Sequence, residues 1–320
     1  MMFLSTLGIL LIGHIIATSS DVMEQDASGV AFFDLVESDG LATIQGYLDD
    51  HSSQDGNIRN FAVSLSSSLV RLRFTPVEGY MRDIMLMPSG GRESPIRIDR
   101  SQTSAFDSNW RQLQNSLGVG LHSDFGRCVG SMMLLPVNPG IFGSAVRMIV
   151  SPTDPLVYCA DRQLTMIDIV GNADGEDRFE VEVAASARLS ESSTIVSPFI
   201  LVLAELTILP IPIYEYVRNE ARRIGMIETS LNEYQEGCAN LIDLLPLLRF
   251  VLRSSDGRPA ITIFFSGRDY VSVNETNGSR TCHLQIQGDE YYASLGRNFL
   301  ERVAVFFDYT NHRLGFCDPW

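Results

Sequence analysis

The sequence predicts an all-β protein, and three observations support this fold class. Most apolar segments are short, turn residues such as Pro, Gly, Asn and Asp separate them, and strands do not alternate with long helices. Hydrophobic residues make up 45% and charged residues 20% of the 320 residues, which is enough apolar material for a sizeable core. A chain of this length forms one large β domain or two lobes.

Residues 1–20 differ from the rest of the chain. They are apolar from Met1 to Ala17, contain no Asp, Glu, Lys or Arg, and end with small residues at Ser19 and Ser20. This length is more typical of a signal peptide than of a membrane span, which needs about 20 consecutive apolar residues. A signal anchor is the alternative. We therefore expect a secreted or lumenal protein of the secretory pathway, with no membrane segment after signal removal.

The segment at residues 21–57 is acidic and rich in turn residues. We expect an N-terminal arm here, either loose or left over from a propeptide. The whole chain has a net charge of −15 and offers no basic patch for phosphates, so nucleic acid is not an expected partner. The five His residues are scattered and no Cys-x-x-Cys pair occurs, so neither a metal site nor a cofactor is expected.

The predicted elements of the core begin at Phe61. Apolar residues alternate from there to Phe74, as in a half-buried strand, and residues 106–118 are predicted to form a short helix that ends at Gly118. Further strands are predicted by apolar runs between turn residues. These runs are residues 84–87, 130–138, 145–150, 162–170, 178–186, 247–252, 260–265, 270–273, 283–287 and 303–316.

A strand followed by a helix is predicted in the stretch that begins at Ile200. Residues 200–209 are nearly all apolar, as in a strand buried on both faces, and Pro210 ends the run. A helix is predicted over residues 214–224, in which Tyr214 is expected to pack against the sheet. A second helical segment is predicted near Leu231–Tyr234.

All five cysteines lie after the leader. Secretion favours disulfides, and an odd number leaves one thiol free or paired with another chain. The sequence leaves the pairing of Cys128, Cys159 and Cys317 open, and Cys128 with Cys159 is one candidate pair because both flank the same predicted hairpin region. Two N-glycosylation sequons begin at Asn274 and Asn277 in one polar turn, which is typical of a secreted glycoprotein.

The C-terminal stretch, residues 293–320, has the most specific pattern in the chain. It contains an apolar-apolar-Gly step, a Phe-Leu pair, an apolar strand, Phe-Asp, a turn Asn, a basic residue and Gly-Phe. This order resembles the closing segment of pepsin-like aspartic peptidases. The matching residues are Leu295, Gly296, Phe299, Leu300, Phe307, Asp308, Asn311, Arg313, Gly315 and Phe316.

The resemblance extends back to about Leu117 and implies a bilobal pepsin-like fold with few short helices. It also implies a disulfide between Cys238 and Cys282. The expected organisation is a signal peptide at residues 1–20, the acidic arm at 21–57, a shortened first lobe at 58–118 and the second lobe at 119–320.

The catalytic motif of this family, Asp-Thr/Ser-Gly, does not occur in the sequence. In the second lobe the resemblance puts Leu201 at the position of the motif aspartate. In the first lobe it puts Pro88 there, followed by Ser89 and Gly90. The family's reaction needs two aspartates that share one proton, one acting as general base and the other as general acid. Leucine and proline cannot transfer a proton, so the resemblance implies an inactive member.

Three functions are consistent with the sequence. The expected one is a catalytically inactive, secreted homologue that binds a protein or peptide. The alternative is a residual aspartic-type endopeptidase with a rearranged acidic dyad, for which Glu205 and Asp83 are the candidates. A decaying gene product without a stable first lobe is the third. Thr207, the other polar residue beside Glu205, is expected to hydrogen-bond the loop backbone locally.

Overall fold

The computed structural model describes the core of the chain in separate stretches. They are residues 30–38, 41–48, 59–65, 84–91, 96–98, 116–137, 146–152, 154–170, 178–187, 194–203, 206–235, 237–276 and 279–319. The predicted signal peptide, most of the predicted helix at residues 106–118, and the residues Asp83, Glu205 and Asn277 lie outside these stretches.

Strands dominate the described part of the chain, as predicted from the sequence. The strands up to residue 201 are β1 (Ala31–Ser38), β2 (Leu41–Leu48), β3 (Arg59–Ser64), β4 (Ile84–Leu86), β5 (Gly90–Gly91), β6 (Ile96–Ile98), β7 (Ser116–Gly118), β8 (Ser131–Pro136), β9 (Val146–Val150), β10 (Thr165–Asp168), β11 (Glu180–Ser186) and β12 (Ile195–Leu201). The later strands are β13 (Thr207–Pro210), β14 (Glu228–Ser230), β15 (Glu233–Tyr234), β16 (Leu248–Arg253), β17 (Pro259–Phe265), β18 (Val271–Thr276), β19 (Ser279–Leu284), β20 (Ile286–Asp289), β21 (Ser294–Leu295), β22 (Ala304–Asp308) and β23 (Arg313–Cys317).

Helices are short and few in the described stretches. The α-helices are α1 (Asp124–Val129), α2 (Ile211–Arg223), α3 (Gly267–Tyr270) and α4 (Arg297–Leu300), and 3-10 turns occur at Pro155–Tyr158, Cys238–Asn240 and Ile242–Leu244. Helix α2 confirms the predicted helix after the apolar run. Its first turn contains Pro212, where a missing N–H costs nothing, and its buried side chains lie on one face.

Three sheets organise the described strands. In the largest, the order β10-β23-β22-β8-β9-β1 continues through β2 and β3 to β7. The second sheet has the order β17-β16-β11-β12-β21-β13-β20, and the third has the order β14-β15-β19-β18. Because β8 and β9 pair with β22 on one side and β1 on the other, the predicted boundary between residues 118 and 119 does not separate one sheet from another.

Part of the predicted N-terminal arm is an integral piece of the largest sheet, so the expectation of a loose arm is wrong for residues 31–38 and 41–48. Strand β1 pairs with β9 from Ala31 to Leu35, and the side chain of Phe33 is buried in the core. An ion pair between Asp34 and Arg147 at 2.8 Å joins the same two strands. The acidic composition of the whole segment concealed its consecutive apolar residues at 30–33, all of which are buried, as in a strand covered on both faces.

One helical prediction is wrong at its C-terminal end, and another is wrong throughout. Residues 116–118 form strand β7, which pairs in parallel with β3, so Gly118 does not end a helix, while the preceding residues of that predicted helix lie outside the described stretches. The segment near Leu231–Tyr234 is a turn that leads into β15, where Tyr234 is opposite Cys282. In both places pairing with a strand that is distant in sequence overrides the local helical pattern.

The two disulfides differ in how far the sequence predicted them. Cys238–Cys282 is present, with Cα atoms 6.0 Å apart, as the resemblance implied. Cys159 pairs with Cys317 and not with Cys128, which is a free, exposed thiol. The pairing of β10 with β23 and the bridge between Cys159 and Pro319 bring the C-terminal strand to Cys159, whereas sequence proximity suggested Cys128.

Tyr309 fastens the C-terminal hairpin to the segment at residues 119–130. Its hydroxyl donates to the carbonyl oxygen of Val119 at 2.8 Å, and its backbone N–H donates to the carbonyl of Gly130 at 3.1 Å. The ring lies so close to Gly126 that a Cβ there would be 2.5 Å from it. The β22–β23 hairpin is therefore held to a segment about 190 residues away in sequence.

We expect iodoacetamide to label only Cys128 in the folded, non-reduced protein, because the other cysteines are in disulfides. Peptide mapping by mass spectrometry should recover Cys159 linked to Cys317 and Cys238 linked to Cys282. As a control, reduction under denaturing conditions should make every cysteine available. A linked peptide that contains Cys128 and Cys159 would contradict the assignment.

We expect Tyr309→Phe to lower the free energy of unfolding by about 1–3 kcal/mol, because the buried Val119 carbonyl loses its donor. The change keeps the ring and its packing, so denaturant unfolding isolates the hydroxyl. Tyr291→Phe is the matched control, since the Tyr291 side chain is 91% exposed and its loss of a hydroxyl should leave stability unchanged. Equal stability of both variants would refute the role of the Tyr309 hydroxyl.

Candidate functional site

Two strand ends have the same pairing pattern. Strand β12 pairs in parallel with β21, where Leu201 is opposite Leu295. Strand β3 pairs in parallel with β7, where Val63 is opposite Leu117. The partner strand begins a Ser-Leu-Gly sequence in both cases, at Ser116 and at Ser294. The pairing therefore relates the end of β3 to the end of β12.

Aliphatic side chains occupy both of these strand ends. Leu201 is 1% and Leu203 is 5% exposed in the second, and Val63 is 4% and Leu65 is 3% exposed in the first. All four belong to one continuous hydrophobic cluster. The position that the resemblance assigned to a catalytic aspartate, Leu201, is thus a packed core position.

Pro88 lies at a different place in the sheet. It follows β4, which pairs in antiparallel orientation with β2 and β6 and has no parallel Ser-Leu-Gly partner. The pairing pattern makes Val63, rather than Pro88, the counterpart of Leu201. Ser89 instead secures strand β1: its N–H donates to the carbonyl of Phe32 at 2.7 Å and its hydroxyl accepts from the N–H of Asp34 at 3.0 Å.

The acidic candidates Asp83 and Glu205 lie outside the described residues. The sequence still limits what the two loops contain. After β3, residues 65–77 include no Asp or Glu, and after β12, residues 202–206 include only Glu205. These two sequence segments therefore contain one carboxylate between them, whereas the shared-proton mechanism requires two.

A neutral hydrogen-bond network lies directly behind the second strand end. The buried Thr207 hydroxyl donates to the side-chain oxygen of Asn298 and accepts from the N–H of Gly296 at 3.0 Å. The Asn298 amide in turn donates to the carbonyl of Gln285 at 3.2 Å. The prediction of a local bond for Thr207 is wrong, because its partners are about 90 residues away. The network holds strands together and contains no acid or base.

Ionised side chains cluster instead on the outer side of helix α2. Arg218 donates to both carboxylate oxygens of Glu228, at 2.8 and 3.1 Å, and Arg222 donates at 2.7 Å. Burial alone would raise the pKa of Glu228. The hydrogen bonds from Arg222 and Arg218 together outweigh this effect, so the pKa lies below its usual value. Burial also raises the pKa of Tyr234, to about 12. The cluster of Glu228 with Arg218 and Arg222 is a structural ion network.

Tyr214 packs against Gly288 of the sheet, as expected.

A cleft opens beside β12, between that strand and the turn at residues 289–293. Its volume is about 430 Å³, and it was not anticipated from the sequence. The Asp289 carboxylate shapes the turn by accepting from the N–H groups of Tyr291, at 2.7 Å, and Tyr292, at 3.2 Å. In the sequence, only the adjacent Tyr291 and Tyr292, which follow the acidic Asp289 and Glu290, could have indicated this cleft. The lining consists of Arg178, Glu180, Ile195, Ser197, Pro198, Ile200, Pro210, Asp289, Glu290, Tyr291, Tyr292 and Ala293.

The cleft combines apolar walls with polar groups able to orient a ligand. The Ser197 hydroxyl is shielded from solvent and has no hydrogen-bond partner within the described stretches. Arg178 and Glu180 form an ion pair at 3.3 Å on the same wall. Pockets that bind ligands usually have this composition, with a few placed polar groups on an apolar surface.

The described residues contain no group of three or more His, Cys, Asp or Glu side chains arranged to hold a metal ion. Within the same stretches, no helix is both long enough and apolar enough to cross a membrane.

Comparison with known proteins identifies the fold. No protein-family model matches the chain, and no curated protein matches it in sequence. Among solved structures, it is similar to the crystal structure of the aspartic proteinase from Irpex lacteus, with a TM-score of 0.58 and 14% identity over 91% of this chain and 97% of that chain. The likeness at this identity concerns the fold and confirms the pepsin-like, mostly β architecture that the C-terminal sequence implied.

We expect Thr207→Val to destabilise the protein by about 2–4 kcal/mol, because the N–H of Gly296 and the side chain of Asn298 would both lose a buried partner. Thr207→Ser is the matched control: it keeps the hydroxyl and should cost only about 1 kcal/mol for the lost methyl group. Denaturant unfolding measures both. If the Thr207→Val and Thr207→Ser variants lose the same amount of stability, the hydrogen bonds of Thr207 do not stabilise this region.

Proposed function

We propose that this protein is a secreted, non-catalytic relative of pepsin-like aspartic peptidases that binds a peptide or a segment of another protein. The observation that carries the proposal is the replacement of chargeable groups by packed aliphatic side chains at both strand ends. Val63 and Leu201, which the strand pairing relates to each other, are both buried in one hydrophobic cluster.

The chemical reason is that amide hydrolysis by this class of enzyme needs a water activated between two carboxyl groups. Each positioned acid or base contributes about 10²–10⁴-fold in rate. A single carboxylate cannot perform both roles of the shared-proton pair, and aliphatic groups cannot stabilise the charge that develops on the substrate carbonyl. Loss of both members therefore removes essentially all of the catalytic advantage.

Secretion is supported by two features of the chain. The apolar leader at residues 1–20 has the composition of a signal peptide. The disulfides Cys159–Cys317 and Cys238–Cys282 are of a kind that persists in oxidising compartments. The exposed Asn274 lies on β18 in the first of the two sequons, which supports glycosylation at that position.

The cleft beside β12 is the proposed binding site. Its volume of about 430 Å³ accommodates one or two side chains of an extended peptide. Ile195, Pro198 and Ile200 supply apolar contact, the ion pair of Arg178 with Glu180 supplies polar groups, and the tyrosine pair lies at the rim. Tyrosine is favoured at interfaces because it gives a large contact area at a low cost in conformational entropy.

We expect the purified protein not to digest an acid-denatured protein substrate between about pH 3 and 5, the range in which paired carboxyl groups titrate. The measurement is peptide release by mass spectrometry, with a heat-inactivated sample as the baseline. Cleavage that a statine-type inhibitor blocks and that Glu205→Gln or Asp83→Asn abolishes would refute the proposal and favour the residual endopeptidase.

We expect a random peptide library to yield ligands for the immobilised wild-type protein, and these ligands to bind a Tyr291→Ala, Tyr292→Ala double variant about tenfold or more weakly. Leu231→Ala is the matched control, since Leu231 is an exposed side chain that does not line the cleft. Ligands that bind the double variant and the wild type equally would place the binding site elsewhere.

A further inference from the structure

We propose that His122 and His312 form a binding site for a first-row transition metal ion such as Zn²⁺. The two imidazole rings lie edge to face, with centroids 5.4 Å apart and planes inclined at 76°. Both side chains are exposed, so an ion can reach them from solvent. The inference is independent of the peptide-binding function proposed above.

The ring separation fits two imidazoles on one ion. With Zn–N bonds of about 2.0–2.1 Å and a tetrahedral angle, two coordinated rings have centroids about 5 Å apart. The inclination of 76° is compatible with this arrangement, because two imidazole rings on a tetrahedral ion need not be parallel.

Neither histidine is held by its neighbours in sequence alone. His122 immediately precedes Ser123, whose hydroxyl accepts from the N–H of Gly126 at 3.1 Å and caps helix α1. His312 has a left-handed backbone, with φ of +53°, in the tight turn between β22 and β23. Its carbonyl accepts from the N–H of Ile169 at 3.4 Å, which ties the turn to the chain after β10.

The two turns are cross-braced by Tyr309. The Tyr309 hydroxyl bonds to Val119, three residues before His122, while Tyr309 itself lies three residues before His312. Asp308 rigidifies the second turn by accepting from the backbone and side chain of Asn311 at 3.0 and 2.8 Å. The folded protein therefore presents the pair already assembled, and binding does not have to order a flexible segment.

The chemistry of the donors selects the class of ion. Neutral imidazole is a ligand for Zn²⁺, Cu²⁺ and Ni²⁺, while Ca²⁺ and Mg²⁺ prefer oxygen. With two protein ligands, the remaining coordination positions fall to water or to a group from a bound molecule. An ion here would link the turn at His122 to the C-terminal hairpin and would stabilise the folded state in proportion to its occupancy.

The test is titration of the full folded protein with ZnCl₂ by isothermal calorimetry near neutral pH. The variants are His122→Gln and His312→Asn, since Asn tolerates the left-handed backbone at position 312. Because changes outside the first coordination shell already cost 10–100-fold in affinity, loss of either ligand should weaken the saturable site by about tenfold or more. Unchanged thermal midpoints of the metal-free variants would verify that they fold.

His283→Gln and Cys128→Ser are the matched controls. His283 is the other histidine in the described part of the chain, and Cys128 is the exposed thiol on helix α1. Both control variants should bind Zn²⁺ like the wild type, and Zn²⁺ should raise the thermal midpoint of the wild type but not of the His122→Gln, His312→Asn double variant. The proposal is overturned if the wild type shows no saturable site, if the double variant keeps it, or if only Cys128→Ser removes it.

Discussion

The parallel pairing of a strand end with a Ser-Leu-Gly strand is the constraint on which the centre of this protein depends. It occurs between β3 and β7 and again between β12 and β21, and it fixes Val63 and Leu201 at related positions. A carboxylate buried there among aliphatic groups would lose its hydration without gaining a partner, and it would either destabilise the fold or take up a proton. Aliphatic side chains avoid this desolvation cost, so these two strand ends can form part of the hydrophobic core.

The buried polar groups next to this apolar centre are neutral and hydrogen-bonded to one another. Thr207, Asn298 and Gly296 satisfy one another across strands and leave no charge to be solvated. Charged groups lie toward the outside, as in the network of Glu228 with the arginines of helix α2. The features able to contact other molecules are consequently at the surface: the cleft beside β12 and the paired histidines near Tyr309.

The C-terminal hairpin completes the fold in two ways. Its strands β22 and β23 lie between β8 and β10 in the largest sheet, and Cys317 adds a covalent link to Cys159. Tyr309 then attaches the same hairpin to the segment before helix α1. Elements from the start, middle and end of the chain thus share one sheet, and the stability of each depends on the others.

The sequence by itself determined the fold class, helix α2, most strands after residue 130 but not β14, β15 or β21, and, through the closing hairpin, the resemblance to pepsin-like peptidases. These features depend on local periodicity, on proline and glycine at turns, and on a contiguous motif. Only the tertiary structure decided that β1 belongs to the sheet, that Cys159 pairs with Cys317, that Thr207 bonds Asn298, and that His122 meets His312. Each of these joins residues far apart in the chain, and their proximity follows from sheet order and register, which local sequence patterns do not encode.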